Sequence, residues 1–193
     1  MKYQIERSKT QVVKGSLTDI AKQNGTSLAE TFLSADVVVL VDTSSSMQDT
    51  DAPGGLSRYD AACTELANLQ STIPGKVAVI SFSGNSQTMF CPNGQPFNLE
   101  GGTDLAGALT FAKVADVPDM RFVVISDGQP DSEREALKVA ASYQNRIDTI
   151  FVGPEGAPGR TFLAKLASAK NGQAVTADRV AQLSSKVQYL LAA

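Results

Sequence analysis

Histidine is absent from all 193 residues, which rules out Ser-His-Asp and Cys-His catalysis and imidazole ligation of a metal within this chain. Cysteine occurs only twice. Cys63 falls in an expected helix and Cys91 near an expected strand end, without metal-ligand spacing, so they read as two reduced packing residues and not as a disulfide framework. No run approaches the roughly 20 apolar residues of a membrane span, and Met1-Lys-Tyr-Gln-Ile-Glu-Arg7 lacks the apolar stretch of a secretory signal. The expectation is a cytoplasmic protein with no membrane partner. Net charge is also small: a balance of -3 gives no bulk attraction to nucleic acid or anionic lipid. Glycines do cluster at Ala52-Pro-Gly-Gly55, but no lysine follows them, so the stretch reads as a surface turn and not a phosphate loop.

What the chain has is a 42% hydrophobic content at a length that suits one domain with a substantial core. Val/Ile-rich runs at 36–41, 77–82, 122–125 and 147–152 read as strands buried on both faces. Helical periodicity places helices near 57–73, 104–115, 131–144, 160–170 and 178–191. Thr103 and Asp131 read as N-caps, while Pro74-Gly75 and Asn171-Gly172 read as helix stops. Two strand-like pieces joined by Ser83-Gly-Asn-Ser86 predict a hairpin with one antiparallel edge strand. The alternation predicts an α/β fold, a doubly wound and mostly parallel sheet with helices on both faces and ligands at the carboxyl ends of the strands. Residues 1–35 stand outside this unit as an N-terminal accessory extension to a domain at 36–193. Within them Thr10-Gln-Val-Val-Lys14 reads as a short strand, and 16–22 and 27–34 as two short helices, the second opened by a Ser27/Glu30 capping box.

Three motifs carry chemistry. The first strand runs into Asp42-Thr-Ser-Ser-Ser46, the strand at 122–125 runs into Ser126-Asp-Gly128, and Gly101-Gly-Thr-Asp104 opens a helix between them. Taken in this order, Asp42, Ser44, Ser46, Thr103 and Asp127 resemble the metal-ion-dependent adhesion site of the von Willebrand factor A domain family, which is written Asp-x-Ser-x-Ser, then a distant Thr, then a distant Asp. The flanking Gly-Gly-Thr-x-Leu with Ala108-Leu109, and Ser-Asp-Gly-x-Pro-Asp at 126–131, resemble the same family over roughly residues 36–191. One departure is Ser45, where the family often carries Gly; a Ser fits there only if the turn needs no positive φ.

The resemblance implies the strand order 3-2-1-4-5-6 and a divalent metal. A set of hard oxygen donors suits Mg²⁺ or Mn²⁺, with Ca²⁺ behind them, far better than zinc or copper. The resemblance further implies that Ser44, Ser46 and Thr103 touch the metal directly or nearly so, while Asp42 and Asp127 act through water or through hydrogen bonds to those hydroxyls. Neutral hydroxyl ligands quench little of an ion's charge, so a partner's Asp or Glu is the natural further ligand, and protein binding without turnover is the expected output. The family's stand-alone members work beside AAA+ ATPases, chelatases or stress-response operons.

Two other functions compete. A Mg²⁺-dependent phosphohydrolase or phosphotransferase would use Asp42 as nucleophile, but enzymes of the haloacid-dehalogenase type want a second Asp two residues on, where this chain has Ser44. The stretch from Leu17 to Thr31 resembles a repressor helix-turn-helix, yet its second helix offers only hydroxyls and Glu30 to a DNA groove. Asp49 and Asp51 read as a solvated loop, against an acidic rim or second cation site, and Asp104 as a carboxylate in a favourable first turn.

Overall fold

The computed structural model describes residues 11–51, 55–72, 77–128, 130–153 and 157–177. Along the chain come α1 (Leu17–Asn24), α2 (Leu28–Leu33), β1 (Val37–Asp42), α3 (Arg58–Thr72), β2 (Val77–Phe82), β3 (Thr88–Phe90), α4 (Leu105–Ala112), β4 (Arg121–Ser126), α5 (Glu133–Ala141), β5 (Ile147–Val152), α6 (Pro158–Ala169) and β6 (Ala174–Ala177). The strands form one sheet in the order β3-β2-β1-β4-β5-β6. All neighbours are parallel except β2 and β3, which pair antiparallel from Ile80 opposite Phe90 to Phe82 opposite Thr88. The doubly wound α/β architecture, its order and its antiparallel edge are those expected. The helix expected at 178–191 and the Pro74-Gly75 stop lie outside the described residues.

Period-two alternation divides the core between the two faces of the sheet. Val38 and Leu40 of β1, Ile80 of β2, and Phe122 and Val124 of β4 join Leu105 and Leu109 of α4 and Phe162 and Leu166 of α6 on one face. Val37, Val39 and Val41, with Val77, Val79, Val123 and Ile125, pack with Ala62 and Leu66 of α3 on the other. Every residue of β1, β2 and β5 is buried, which is why these strands read as continuous apolar runs. The same burial fixes their register, since a slip of one residue would exchange the two faces.

Residues before β1 dock on the first of these layers. Leu17 is buried there, and Phe32 packs edge-on against Phe90 with ring centroids 5.3 Å apart. The Ser27/Glu30 capping box forms as expected. The strand expected at 10–14 does not form among residues 11–14. Instead the chain reverses at Gly15, where φ is +78°, and its N–H donates to Asp19 at the start of α1. A side chain at Gly15 would also collide with the Gln70 carbonyl, so the turn is held tight against α3.

Opposite the carboxyl ends of the strands, Asp116 shows how a buried carboxylate is satisfied. It accepts from Lys113 Nζ at 2.6 Å, from the Gln144 and Asn145 backbone N–H groups at 2.7 and 3.1 Å, and from Asn145 Nδ2 at 2.8 Å. Burial opposes its charge, but these donors outweigh burial and hold the carboxyl below its ordinary value. A lowered folded value means stability that is present above the unfolded-state pKa and lost as pH falls through the folded one. Asp116→Ala is expected to lose about 3 kcal/mol at neutral pH, because it strands buried donors. Urea unfolding at pH 7 and pH 3 checks this, and the gap between wild type and variant should narrow at the lower pH.

Candidate metal centre

The sheet order reverses between β1 and β4, and the chain leaves these neighbouring strands in opposite directions. A crevice opens above their carboxyl ends. Asp42 ends β1, and Ser126 ends β4 one step beyond the Val41–Ile125 pair, so the parallel register sets the two side by side. Ser126 Oγ donates to Asp42 Oδ2 at 2.5 Å, and the Ser44 N–H donates to Asp42 Oδ1 at 2.8 Å. Asp42 is fully buried. Burial pushes its carboxyl up to about 6, against the pull of the Ser126 and Ser44 hydrogen bonds, and the nearby charge of Asp127 adds to the rise.

From Asp42 the chain turns into a short 3-10 helix, Ser45–Gln48, anchored by fully buried Met47. This turn lines up the hydroxyls. Ser44 Oγ and Ser46 Oγ lie 3.2 Å apart, and Ser46 Oγ donates to Asp127 Oδ1 at 2.9 Å. Ser45 takes no positive φ: its N–H donates to the Gly101 carbonyl, and its Oγ accepts from the Gly101 N–H at 2.9 Å. The serine that departs from the family pattern therefore ties the first loop to the Gly101-Gly102 turn.

That turn carries Thr103. A methyl group placed on Gly128 would lie 3.9 Å from Thr103 Oγ1 and 4.0 Å from Ser46 Oγ, so these hydroxyls flank the same space just beyond the carboxyl end of β4. Two expected caps are corrected here. Asp104, not Thr103, is the N-cap of α4 and accepts from the Gly107 N–H. Ser132, not Asp131, caps α5. Asp131 Oδ1 instead accepts from the Thr103 N–H at 2.9 Å, while its own N–H donates to the Thr103 carbonyl. A reciprocal pair with a residue 28 positions away outranks a local cap.

The five residues singled out in the sequence thus converge, through direct hydrogen bonds or a shared flank, on one crevice of oxygen atoms. Among the described residues no group of three or more His, Cys, Asp or Glu is placed to hold a metal by itself, so the donor set depends on its hydroxyls. This set fits a hard divalent cation that keeps some of its water.

Arg58 was not singled out, and it sits at the centre of the charge. It opens α3, is 8% exposed, and its Nη1 donates to Asp127 Oδ2 at 2.5 Å. Nε and Nη2 form a two-pronged pair with Asp51 at 2.8 and 2.6 Å, and Nη2 lies 3.4 Å from Asp49. Asp49 and Asp51 have the exposed side chains expected of a solvated loop, 61% and 56%, and in addition pair with a buried guanidinium. Hydrogen bonds to Asp51 first and then to Asp127 raise the Arg58 pKa above its ordinary value against the effect of burial, and the Arg58 pair lowers that of Asp51. The sequence signal available was a lone arginine soon after an acidic loop, which does not specify a contact to a carboxylate 69 positions on.

No family model and no curated protein matches the sequence. Among solved structures, an aerotolerance-related membrane protein from Bacteroides fragilis is similar, with 17% identity and a TM-score of 0.65 over 82% of this chain and 98% of that one. A von Willebrand factor type A protein from Catenulispora acidiphila has 17% identity and a TM-score of 0.57 over 82% of this chain and 42% of that one. Manganese-loaded TRAP protein from Plasmodium vivax has 16% identity and a TM-score of 0.57 over 83% of this chain and 72% of that one. The chain has the von Willebrand A-type fold, the fold that its motifs resemble.

Proposed function

We propose that this chain is a metal-dependent protein-binding module whose Mg²⁺- or Mn²⁺-bound site accepts a carboxylate from a partner protein. The observation that carries the reading is the convergence of Asp42, Ser44, Ser46, Thr103 and Asp127 above the carboxyl ends of β1 and β4, where the sheet order reverses. The fold shared with manganese-loaded TRAP supports a divalent metal.

In this reading Ser44, Ser46 and Thr103 present hydroxyl oxygens to the ion. Asp42, oriented by Ser126, and Asp127, oriented by Ser46, supply the negative charge. The bound ion would act as a Lewis acid with coordination left for an exogenous anion. The chain's own part is to hold the donors in place: Met47 and the Ser45–Gly101 pair fix the first loop, and Asp131 fixes Thr103. The stretches 43–56 and 128–130, of which residues 52–54 and 129 lie outside the described residues, would with the Gly101-Gly102 turn frame the partner's footprint.

The reading assigns no catalysis, since Ser44 stands where a phosphohydrolase of the Asp-nucleophile type needs a second carboxylate. It assigns no nucleic acid either: Glu30 of α2 is committed to its own cap and Phe32 to Phe90. Residues 1–35 are taken as an accessory segment to the 36–193 domain, supported by the burial of Leu17 in the main core. Among the described residues no helix is long and apolar enough to cross a membrane. Cys63 and Cys91 are free thiols, and burial raises the pKa of both, which suits a reducing cytoplasm. The partner is a protein offering an exposed Asp or Glu, and an AAA+ ATPase is the class to try first.

Affinity capture from lysate with Mg²⁺ or with EDTA tests the reading, with Thr103→Ala as control. A partner retained by wild type with Mg²⁺, and lost with EDTA and in the variant, is the expected result. Equal retention in all three arms sinks the adhesion mechanism.

A further inference from the structure

Arg58 occupies an unusual position for a cation. It stands in the first turn of α3, where the helix dipole is positive and disfavours positive charge. It is nonetheless buried, held by carboxylates from two parts of the chain, Asp49 and Asp51 on one side and Asp127 on the other. One of these, Asp127, belongs to the proposed metal-binding set. Both its oxygens are engaged, Oδ1 by Ser46 and Oδ2 by Arg58. A carboxylate already neutralised by a guanidinium attracts a second cation less, and a monovalent and a divalent cation a few ångströms apart repel strongly in a crevice screened from water.

The geometry also gives Arg58 somewhere to go. Three guanidinium nitrogens share the work: Nε and Nη2 serve Asp51, and Nη1 serves Asp127, with the Ser46 carbonyl 3.4 Å away. The Arg58 N–H donates to the Asp49 carbonyl at 3.0 Å, which pins the backbone at the head of the helix. Release of Asp127 therefore costs one ion-pair contact and leaves the two-pronged Asp51 pair and the helix start in place.

We propose that Arg58 is an internal cation that competes with the divalent metal for Asp127, with Asp51 and Asp49 as the carboxylates that retain it when the metal prevails. The inference rests on the metal reading above and adds to it a residue that sets how tightly the ion is held. It also links metal occupancy to the acidic loop before α3, because Arg58 loads Asp49 and Asp51 more fully once Asp127 is given up.

A residue that merely oriented Asp127 for the metal would give the opposite sign on removal, so the sign of the effect decides. The probe is Mn²⁺ alone, titrated into the full chain and followed by electron paramagnetic resonance of the free ion. Arg58→Gln is expected to tighten Mn²⁺ binding about tenfold or more. Arg58→Lys, whose single ammonium cannot span Asp51 and Asp127 together, should tighten it by less. Asp51→Asn should weaken binding in the wild-type background, by throwing Arg58 more fully onto Asp127, and weaken it less in the Arg58→Gln background. Wild type that binds Mn²⁺ while Arg58→Gln and Arg58→Lys bind it equally or more weakly overturns the competition and leaves the metal reading standing. Absence of Mn²⁺ binding in wild type and in both arginine variants overturns the metal reading and this inference together.

Discussion

Asp127→Ala is expected to abolish the rise in melting temperature that Mg²⁺ or Mn²⁺ gives the wild-type protein. A ligand that binds only the folded state stabilises it by about 2.7 kcal/mol at a hundred times its dissociation constant, which corresponds to a rise of roughly 5–10 °C for a domain of this size. Asp127 is placed to matter because it joins the Ser46 hydroxyl to the Arg58 guanidinium and stands one residue beyond Ser126, the partner of Asp42. The variant also deprives Arg58 of a buried counter-charge, so its melting temperature in EDTA should itself fall. The quantity to compare is therefore the increment on adding metal, measured within each protein by differential scanning calorimetry. A wild-type increment that survives intact in Asp127→Ala would remove Asp127 from the site.

The second large effect concerns the segment before β1. Leu17 is 1% exposed and belongs to the same core layer as Leu40, Phe122 and Phe162. Its truncation leaves a cavity that the rigid sheet beneath cannot close, and Leu17→Ala is expected to cost about 3 kcal/mol of unfolding free energy. Leu33, 69% exposed in the neighbouring helix, is the control and should shift stability by less than about 0.5 kcal/mol when changed to Ala. Urea denaturation with a single transition in both variants is the expected behaviour. A Leu17→Ala protein as stable as wild type would mean that the segment is a passive attachment and not a packed part of the fold.

The sheet was legible because β1, β2 and β5 are buried on both faces, so their apolar runs have no rival reading as amphipathic helices. The three motifs were legible for a related reason: residues at the carboxyl ends of adjacent parallel strands are brought together by topology, and the register of β1 with β4 does this for Asp42 and Ser126. What escaped were contacts set by loop packing. Asp131 has the local credentials of a helix cap and spends its carboxylate on the Thr103 N–H instead. Ser126 read as a flank to Asp127, although it makes the shortest hydrogen bond to Asp42. Arg58 follows a loop rich in Gly and Asp, and its role depends on where β4 ends. Residues 11–14 carry one β-branched pair, Val12-Val13, too short a run to outweigh the left-handed turn at Gly15 that sends the chain into α1.

The most direct test of the account is the position of the ion itself. Crystals grown with Mn²⁺ and measured at the manganese absorption edge should show one strong anomalous peak per chain in the crevice above β1 and β4, within bonding distance of the Ser44, Ser46 and Thr103 hydroxyls, with Asp42 and Asp127 reaching it directly or through water and Arg58 turned toward Asp51. An anomalous peak elsewhere on the chain, or none at saturating Mn²⁺, would contradict the account.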